Sequence, residues 1–381
     1  MTAPDSAPDL AALDARFMDA TVRFARRHLG LAWPNPSVGA LIVRFEPEGP
    51  RVVGRGVTAR GGRPHAERQA IAAAGELARG ATLYVTLEPC AHHGKTPPCA
   101  EAVVEAGIAR VVTAMEDPDS RVAGKGHAYL RRHGVEVVLG VGRAEAERGM
   151  AGFLTRMRRG RPRVTLKLAV SADGMIGKDG VPNFAVSCEA ARGLVHVMRA
   201  EADAIAVGGA TAAIDDPMLD VRLPGMADTS PVRVVFDTRG RLALESRLVQ
   251  SARQVPVVWV TTTGAGRTRI EQMHAAGVDP LLVPTAPDGH LDLIQALNSL
   301  SWKGIGSLLV EGGAVFGEAL MARDLVDEIS ILRSPVVVGA RGVPAPAGLR
   351  PVLEGRDDRF TLESRRAIGT DEHIRYRRLG R

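Results

Sequence analysis

The sequence predicts two consecutive α/β domains, and three observations carry that reading. The chain has 381 residues, too long for one ordinary domain and suited to two. Short apolar runs alternate with helical patterns along its length, as expected for sheets with parallel neighbours. A dense basic run, TRMRRGRPR (Thr155 to Arg163), interrupts the alternation before a new series begins. One domain is therefore expected over residues 1–157 and a second over 163–381.

Taken in order, Leu10, Leu13, Phe17, Phe24 and Leu29 have near-helical spacing, and Gly30 is a natural stop. VGALIVRF and RVVGRGVT read as two strands joined by EPEGP. PHAERQAIAAAGELARG reads as a helix with Pro64 at its first position and Gly80 at its end. ATLYVTL is a strand, CAEAVVEAGI a helix after two prolines, and ARVVTAM a strand. A helix near Gly126 to His133, the strand VEVVLG and a helix from Arg143 to Met157 close the first series. The second series runs VTLKLAVS, a helix over Glu189 to Ala200, then ADAIAVGG, PVRVVFD, PVVWVTTT, SLLVEGG and DEISILRSPVVVG. Two C-terminal segments are expected to pair antiparallel.

Composition narrows the function classes. No window approaches the roughly 18 apolar residues of a membrane span, so no membrane partner is expected. The acidic MTAPDSAPDLAALD lacks the basic start and apolar core of an export signal. Three cysteines argue against a disulfide framework and for a reducing compartment, so the expected location is cytoplasmic. The formal charge of +6 comes from scattered arginines, and aromatic content is 4%, thin for stacking single-stranded bases. A solvated surface explains that charge better than nucleic acid does. A homo-oligomer is compatible with the sequence, which does not set the number of copies.

The stretch from Pro64 to Cys99 carries chemistry. His65, Cys90 and Cys99 supply one imidazole and two thiolates, a ligand set for Zn²⁺ that leaves the fourth position for water. Glu67, two residues after His65, completes the hydrolytic deaminase signature as the non-ligand acid/base. Such a metal makes hydroxide available near neutral pH, and the glutamate relays the proton to the leaving amine. His65 and Glu67 converge only near a helix start. Cys99 stands at another helix start, where the dipole favours a thiolate.

These residues, HAE, TLEPCAHHGKTPPC and the earlier PNPSVGALIV, resemble the deaminase half of the bifunctional riboflavin-biosynthesis deaminase-reductases. The long insert between the cysteines is a mark of that family. The resemblance implies a cytidine-deaminase-like three-layer fold and a phosphorylated pyrimidine as substrate. It also implies that Asn35, His92 and Lys95 contact this substrate. Lysine suits phosphate as a point charge, and asparagine can read an amide edge.

Read from its residues, the second half shows less. It has no strand-linked GxGxxG, and its two glycine-bearing strand ends, AIAVGGAT and LLVEGGAVFG, are each either a tight turn or a phosphate cradle. The order LKLAVSADG, VGGATAAIDDPMLDVR, PVRVVFDT, LLVEGGAVFGEAL and LVDEI is similar to the reductase half of the same family. That resemblance implies a dihydrofolate-reductase-like fold and NADPH. It places Val170, Thr211, Asp215, Gly312, Gly313 and Gly317 at the cofactor, and Arg199, Leu219, Arg222 and Glu311 at the substrate. No protein acid is named for hydride transfer.

The half departs from its pattern where a Ser and a Trp are usual: here stand Asn183 and Ala185, with Phe184 between. Each loss could remove ~1–3 kcal/mol of binding. A deaminase with an impaired or repurposed reductase-like domain is therefore the alternative, and a nucleic-acid binder with structural zinc is a third reading. Ser187 reads as a helix N-cap and Cys188 as a small residue without a partner. Arg267 could reach a cofactor 2′-phosphate, although a strand-end turn explains the stretch VTTTGAGR better. His127, His133, His196, His274 and His290 show no ligand spacing.

Overall fold

A computed structural model describes residues 9–93, 97–119 and 123–380. The chain separates into two compact units, 1–159 and 160–381. The first contains α1 (Leu10–Ala25), β1 (Gly39–Glu46), β2 (Gly49–Val57), α2 (Ala66–Ala74), β3 (Thr82–Val85), α3 (Cys99–Glu105), β4 (Arg110–Thr113), α4 (Lys125–Arg132), β5 (Glu136–Leu139), α5 (Arg143–Gly149) and α6 (Ala151–Arg159). Among the described residues its strands lie in the order β2-β1-β3-β4-β5. The β1–β2 hairpin and β1–β3 pair antiparallel, and β3, β4 and β5 run parallel.

Strand alternation sorts β1 between two helical layers. Gly39 faces α1, where a Cβ would stand 2.4 Å from Thr21 O. The next residue, Ala40, pairs with Gly56, whose own Cβ would meet Ala66 O at 2.0 Å. A Cβ on Gly54 would likewise meet Ala70 O at 2.2 Å. The backbone of α2 therefore lies directly on β2, an approach that only glycine permits. This contact fixes the first turn of α2, which carries the His-x-Glu pair. The core between the layers is built from Ile42, Leu83, Val85, Val111, Val112 and Leu130.

The second unit contains β6 (Arg163–Val170), β7 (Met175–Lys178), α7 (Glu189–Glu201), β8 (Ala204–Gly208), α8 (Gly209–Asp215), β9 (Val232–Phe236), α9 (Arg247–Gln250), β10 (Val257–Thr261), α10 (Arg267–Ala275), β11 (Asp279–Leu282), α11 (Leu293–Trp302), β12 (Ser307–Glu311), α12 (Ala314–Ala322), β13 (Glu328–Arg333), β14 (Gly342–Pro344), α13 (Leu349–Leu353), β15 (Phe360–Ile368) and β16 (Asp371–Arg378). Its large sheet has the order β11-β10-β9-β8-β12-β6-β13-β16-β15. It is parallel from β11 to β13, and the C-terminal hairpin adds two antiparallel strands as expected. Among the described residues no helix is long and apolar enough to cross a membrane.

Some local expectations change. Pro64 lies outside α2, because His65 is the N-cap with extended φ −69° and ψ 159°, and α2 ends at Ala74, with Gly75 as its C-cap, rather than at Gly80. The N-cap of α7 is Cys188, not Ser187. Asp371 Oδ2 accepts from the Cys188 amide at 2.8 Å, so a distant carboxylate satisfies that helix start.

Candidate active sites

In the first unit the start of α2, the loop after β3 and the start of α3 converge. His65 Nδ1 lies 3.7 Å from Cys90 Sγ and 3.4 Å from Cys99 Sγ. The three donor atoms all fall within 4.8 Å of one another. Tetrahedral zinc with ordinary Zn–S and Zn–N bonds holds such donors about 3.5 Å apart, so the set fits the ion. Among the described residues no fourth His, Cys, Asp or Glu joins this group. His93 instead faces Glu101 at 3.6 Å.

The electrostatics suit a cation. Cys90 is pulled down to about 4, first by the hydrogen bond from the Cys99 thiol, against burial and with help from His65. Cys99 is pushed up by that same pairing and then by burial. The two sulfurs thus share a proton that a metal ion would displace. Burial also pushes Glu67, 4% exposed, up to about 7. Asn35 Nδ2 donates to Gly62 O at 2.9 Å and lies 3.4 Å from His65 Nε2. His92 Nδ1 is buried without a hydrogen-bond partner among the described residues. Lys95 lies outside the described residues.

Glu88, which sequence reasoning passes over, anchors the loop that carries Cys90. Its Oε1 accepts from the Gly126 and His127 amides at 2.8 and 3.2 Å. Its Oε2 accepts from Asp117 and Gly124 at 3.1 and 3.0 Å. The carboxylate thereby caps α4 from outside its own segment, where the helix dipole favours a negative charge. Glu88→Ala strands four amides and should destabilise the unit by ~3 kcal/mol or more. Thermal unfolding together with zinc content would check this. Asp117, on the loop after β4, is pushed up to about 6, chiefly by burial.

The second unit holds a cleft of about 1230 Å³ at the C-terminal ends of its parallel strands. A single small-molecule site takes ~300–1000 Å³, so there is room for two ligands. Gly208-Gly209 and Gly312-Gly313 line it at the ends of β8 and β12, and Thr211 Oγ1 accepts from Gly313 N at 3.3 Å, joining the two turns. On its floor Glu311 takes a bidentate pair from Arg199, at 2.7 and 3.0 Å. Lys167 Nζ stands 3.8 Å from the same carboxylate. Burial alone would raise Glu311, but Arg199 and then Lys167 outweigh it and hold the carboxyl below its ordinary value. Arg222, on the wall, pairs with Asp220.

Three of the expected contacts are not on the cleft wall. Val170 is 4% exposed and belongs to the buried set of β6 with Val164 and Leu166, none of which lines the cleft, whereas Lys167, Leu168 and Ala169 do. Leu219 is 3% exposed and packs with Ile205, Val207 and Leu242. Gly317 lies inside α12 against Pro346 and Leu166, because the glycine turn ends at Gly313, the helix N-cap. Conversely, Lys167 and His196 line the cleft, and neither is among the site residues expected from the sequence. A lysine inside an apolar strand is the available signal for the first.

The altered segment is built into the wall. Asn183 has φ 54°, donates through its backbone N–H to Asp215 Oδ1 at 3.0 Å and through Nδ2 to Asp215 O at 2.9 Å. Phe184 and Ala185 also face the cleft. Asp216 and Leu219 have positive φ as well, 38° and 54°, so backbone strain gathers beside the site, as it does where geometry serves function.

Comparison with known proteins agrees with this division. Residues 12–115 match the cytidine and deoxycytidylate deaminase zinc-binding region, and residues 162–374 match the RibD C-terminal domain. The chain is 36% identical over 371 residues to the riboflavin biosynthesis protein RibD of Escherichia coli, covering 94% of this chain and 97% of that one. It is 37% identical over 333 residues to RibD of Bacillus amyloliquefaciens, covering 87% of each. The structure of Acinetobacter baumannii RibD superposes with a TM-score of 0.85 at 33% identity, over 97% of this chain and all of that one. A Thermotoga maritima protein described as a diaminohydroxyphosphoribosylaminopyrimidine deaminase and 5-amino-6-(5-phosphoribosylamino)uracil reductase gives 0.83 at 30% identity, again over 97% of this chain. With both halves matched in the same order along nearly the whole length of these relatives, the chain belongs to the RibD family of bifunctional riboflavin-biosynthesis deaminase-reductases.

Proposed function

We propose that the first unit deaminates a diaminopyrimidinone ribosyl phosphate at the His65–Cys90–Cys99 centre, and that the second reduces the ribosyl chain of the product in the Lys167–Glu311 cleft. The observation that carries the reading is the three-donor cluster with a buried non-ligand carboxylate at its edge. Zinc, when held by these three residues, supplies a Lewis acid that brings the acidity of water near neutrality. Glu67 then moves the protons. It accepts one from the attacking water and returns it to the ring nitrogen, and it serves the departing ammonia in the same way. Asn35 is positioned beside the ring of His65, and the half-buried His92 has an unused, buried Nδ1, which suits both to a polar substrate edge.

In the second unit NADPH, when bound, supplies the hydride. The turns at Gly208-Gly209 and Gly312-Gly313 suit its pyrophosphate, and Thr211 and Asp215 on the same wall suit other polar parts of the cofactor. Lys167, held in the floor beside Glu311 and Arg199, is placed to hold a proton for the sugar oxygen. Arg222 suits the substrate phosphate. Where a serine is usual, the Asn183 side chain donates one hydrogen bond to Asp215 O, beside the one its backbone N–H gives Asp215 Oδ1, which supports an intact wall rather than a lapsed one. A cytoplasmic location accords with a centre that works through reduced thiols.

The test is a two-step assay on zinc-loaded protein, with ammonia release and NADPH oxidation followed separately. Chelation should abolish ammonia release and leave reduction of the already deaminated compound intact. Loss of both activities on chelation, or of neither, would contradict the division.

A further inference from the structure

We infer that Arg239 and Arg241 read the 2′-phosphate of the reductase cofactor and so set its preference for NADPH over NADH, an inference that rests on the cofactor site proposed above. Strand order gives the cleft a direction. Lys167 and Glu311 mark its reacting end over β6 and β12, and the glycine turns mark the pyrophosphate over β12 and β8. The next strand in that direction is β9. Neighbouring strands stand about 4.8 Å apart, so the adenosine half of an extended dinucleotide falls over the end of β9.

The chain leaves β9 through Asp237-Thr238-Arg239-Gly240-Arg241, which lies on the cleft wall except for the glycine. In dinucleotide folds an acid at the end of the second strand takes the ribose hydroxyls, and a nearby arginine takes the 2′-phosphate when there is one. Here the acid is already committed. Asp237 is 2% exposed, and its Oδ2 accepts from Leu242 N at 2.9 Å and from Trp259 Nε1 at 3.1 Å. Thr238 Oγ1 accepts from Leu291 N at 3.3 Å. These bonds hold the turn in one shape and leave its arginines as the groups on offer.

Arg239 and Arg241 are exposed, and among the described residues neither makes a hydrogen bond or ion pair. The other cleft arginines are engaged: Arg199 with Glu311, Arg222 with Asp220, Arg323 with Asp288, and Arg192 with Ser187 O. Two uncommitted guanidinium groups projecting from a braced turn suit a doubly charged phosphate. Arg267, the candidate read from the sequence, instead pairs with Glu271 on an exposed helix face.

Equilibrium binding of NADPH, NADH and 2′,5′-ADP should be compared for wild type, Arg239→Gln, Arg241→Gln and the double variant. Each charged hydrogen bond lost should weaken NADPH and 2′,5′-ADP by roughly 10- to 100-fold, with NADH changed less than about two-fold. Equal weakening of NADPH and NADH in the variants, or unchanged NADPH binding in the double variant, would overturn the assignment. So would wild-type protein that binds NADPH and NADH alike, a result needing no variant. Wild-type protein that binds neither would overturn the underlying cofactor site along with it.

Discussion

Replacing Glu67 with glutamine should lower ammonia release by ~10³-fold while leaving zinc bound, because a general acid/base contributes about 10²–10⁴ and Glu67 is outside the donor set. The amide keeps the shape of the carboxyl in a site that is 4% exposed, so folding is not the variable. The two activities also separate cleanly in this variant. NADPH oxidation started from the diamino substrate should fall in step with ammonia release, since the second unit receives nothing to reduce. Oxidation started from the deaminated ribosyl compound should stay at the wild-type rate. Metal analysis beside the two assays decides the matter: loss of zinc would make Glu67 a ligand or a structural group, and retained ammonia release would remove it from the chemistry.

The first site is legible in the sequence because its information is local. His65 and Glu67 share one helical turn, Cys99 opens a helix, and the donor types alone select the metal. Glu88 is not legible, since its four partners come from a loop and helix well downstream. In the second unit, strand order and the glycine turns can be read, but motif positions do not say which way a side chain points. Resemblance assigns Val170 and Leu219 to ligands, whereas in the structure both side chains are buried and neither lines the cleft. Lys167 is the converse: in VTLKLAV it reads as one polar residue in an apolar strand, and its value depends on Glu311, remote in the chain but paired with it in the sheet. Unpaired arginines are likewise a property of three dimensions, invisible where arginine is scattered throughout.

That cluster supports the second large effect, expected for Glu311→Gln. Arg199, Lys167 and Glu311 are each 12% exposed at the side chain, so the variant leaves two buried cations facing a neutral amide. Removing one partner of a buried ionic group costs about 3–5 kcal/mol, and the loss should appear in the unfolding of the second unit while ammonia release by the first persists. Chemistry should fail for a related reason. Burial lowers the Lys167 ammonium and Glu311 is the charge that opposes this, with Arg199 adding to the lowering. Without Glu311 the lysine gives up its proton more readily, and reductase activity should collapse and shift its remaining pH optimum to lower pH. Wild-type stability should respond to acid through the same carboxylate. Glu311 is held below its ordinary value of 4.5, so its contribution is complete above that pH and fades as pH falls through the folded value. Glu311→Gln should lack this acid-labile component, and Glu311→Asp should restore part of the stability and part of the rate. A glutamine variant that kept wild-type stability and reductase activity would show that Arg199 and Lys167 do not depend on that carboxylate.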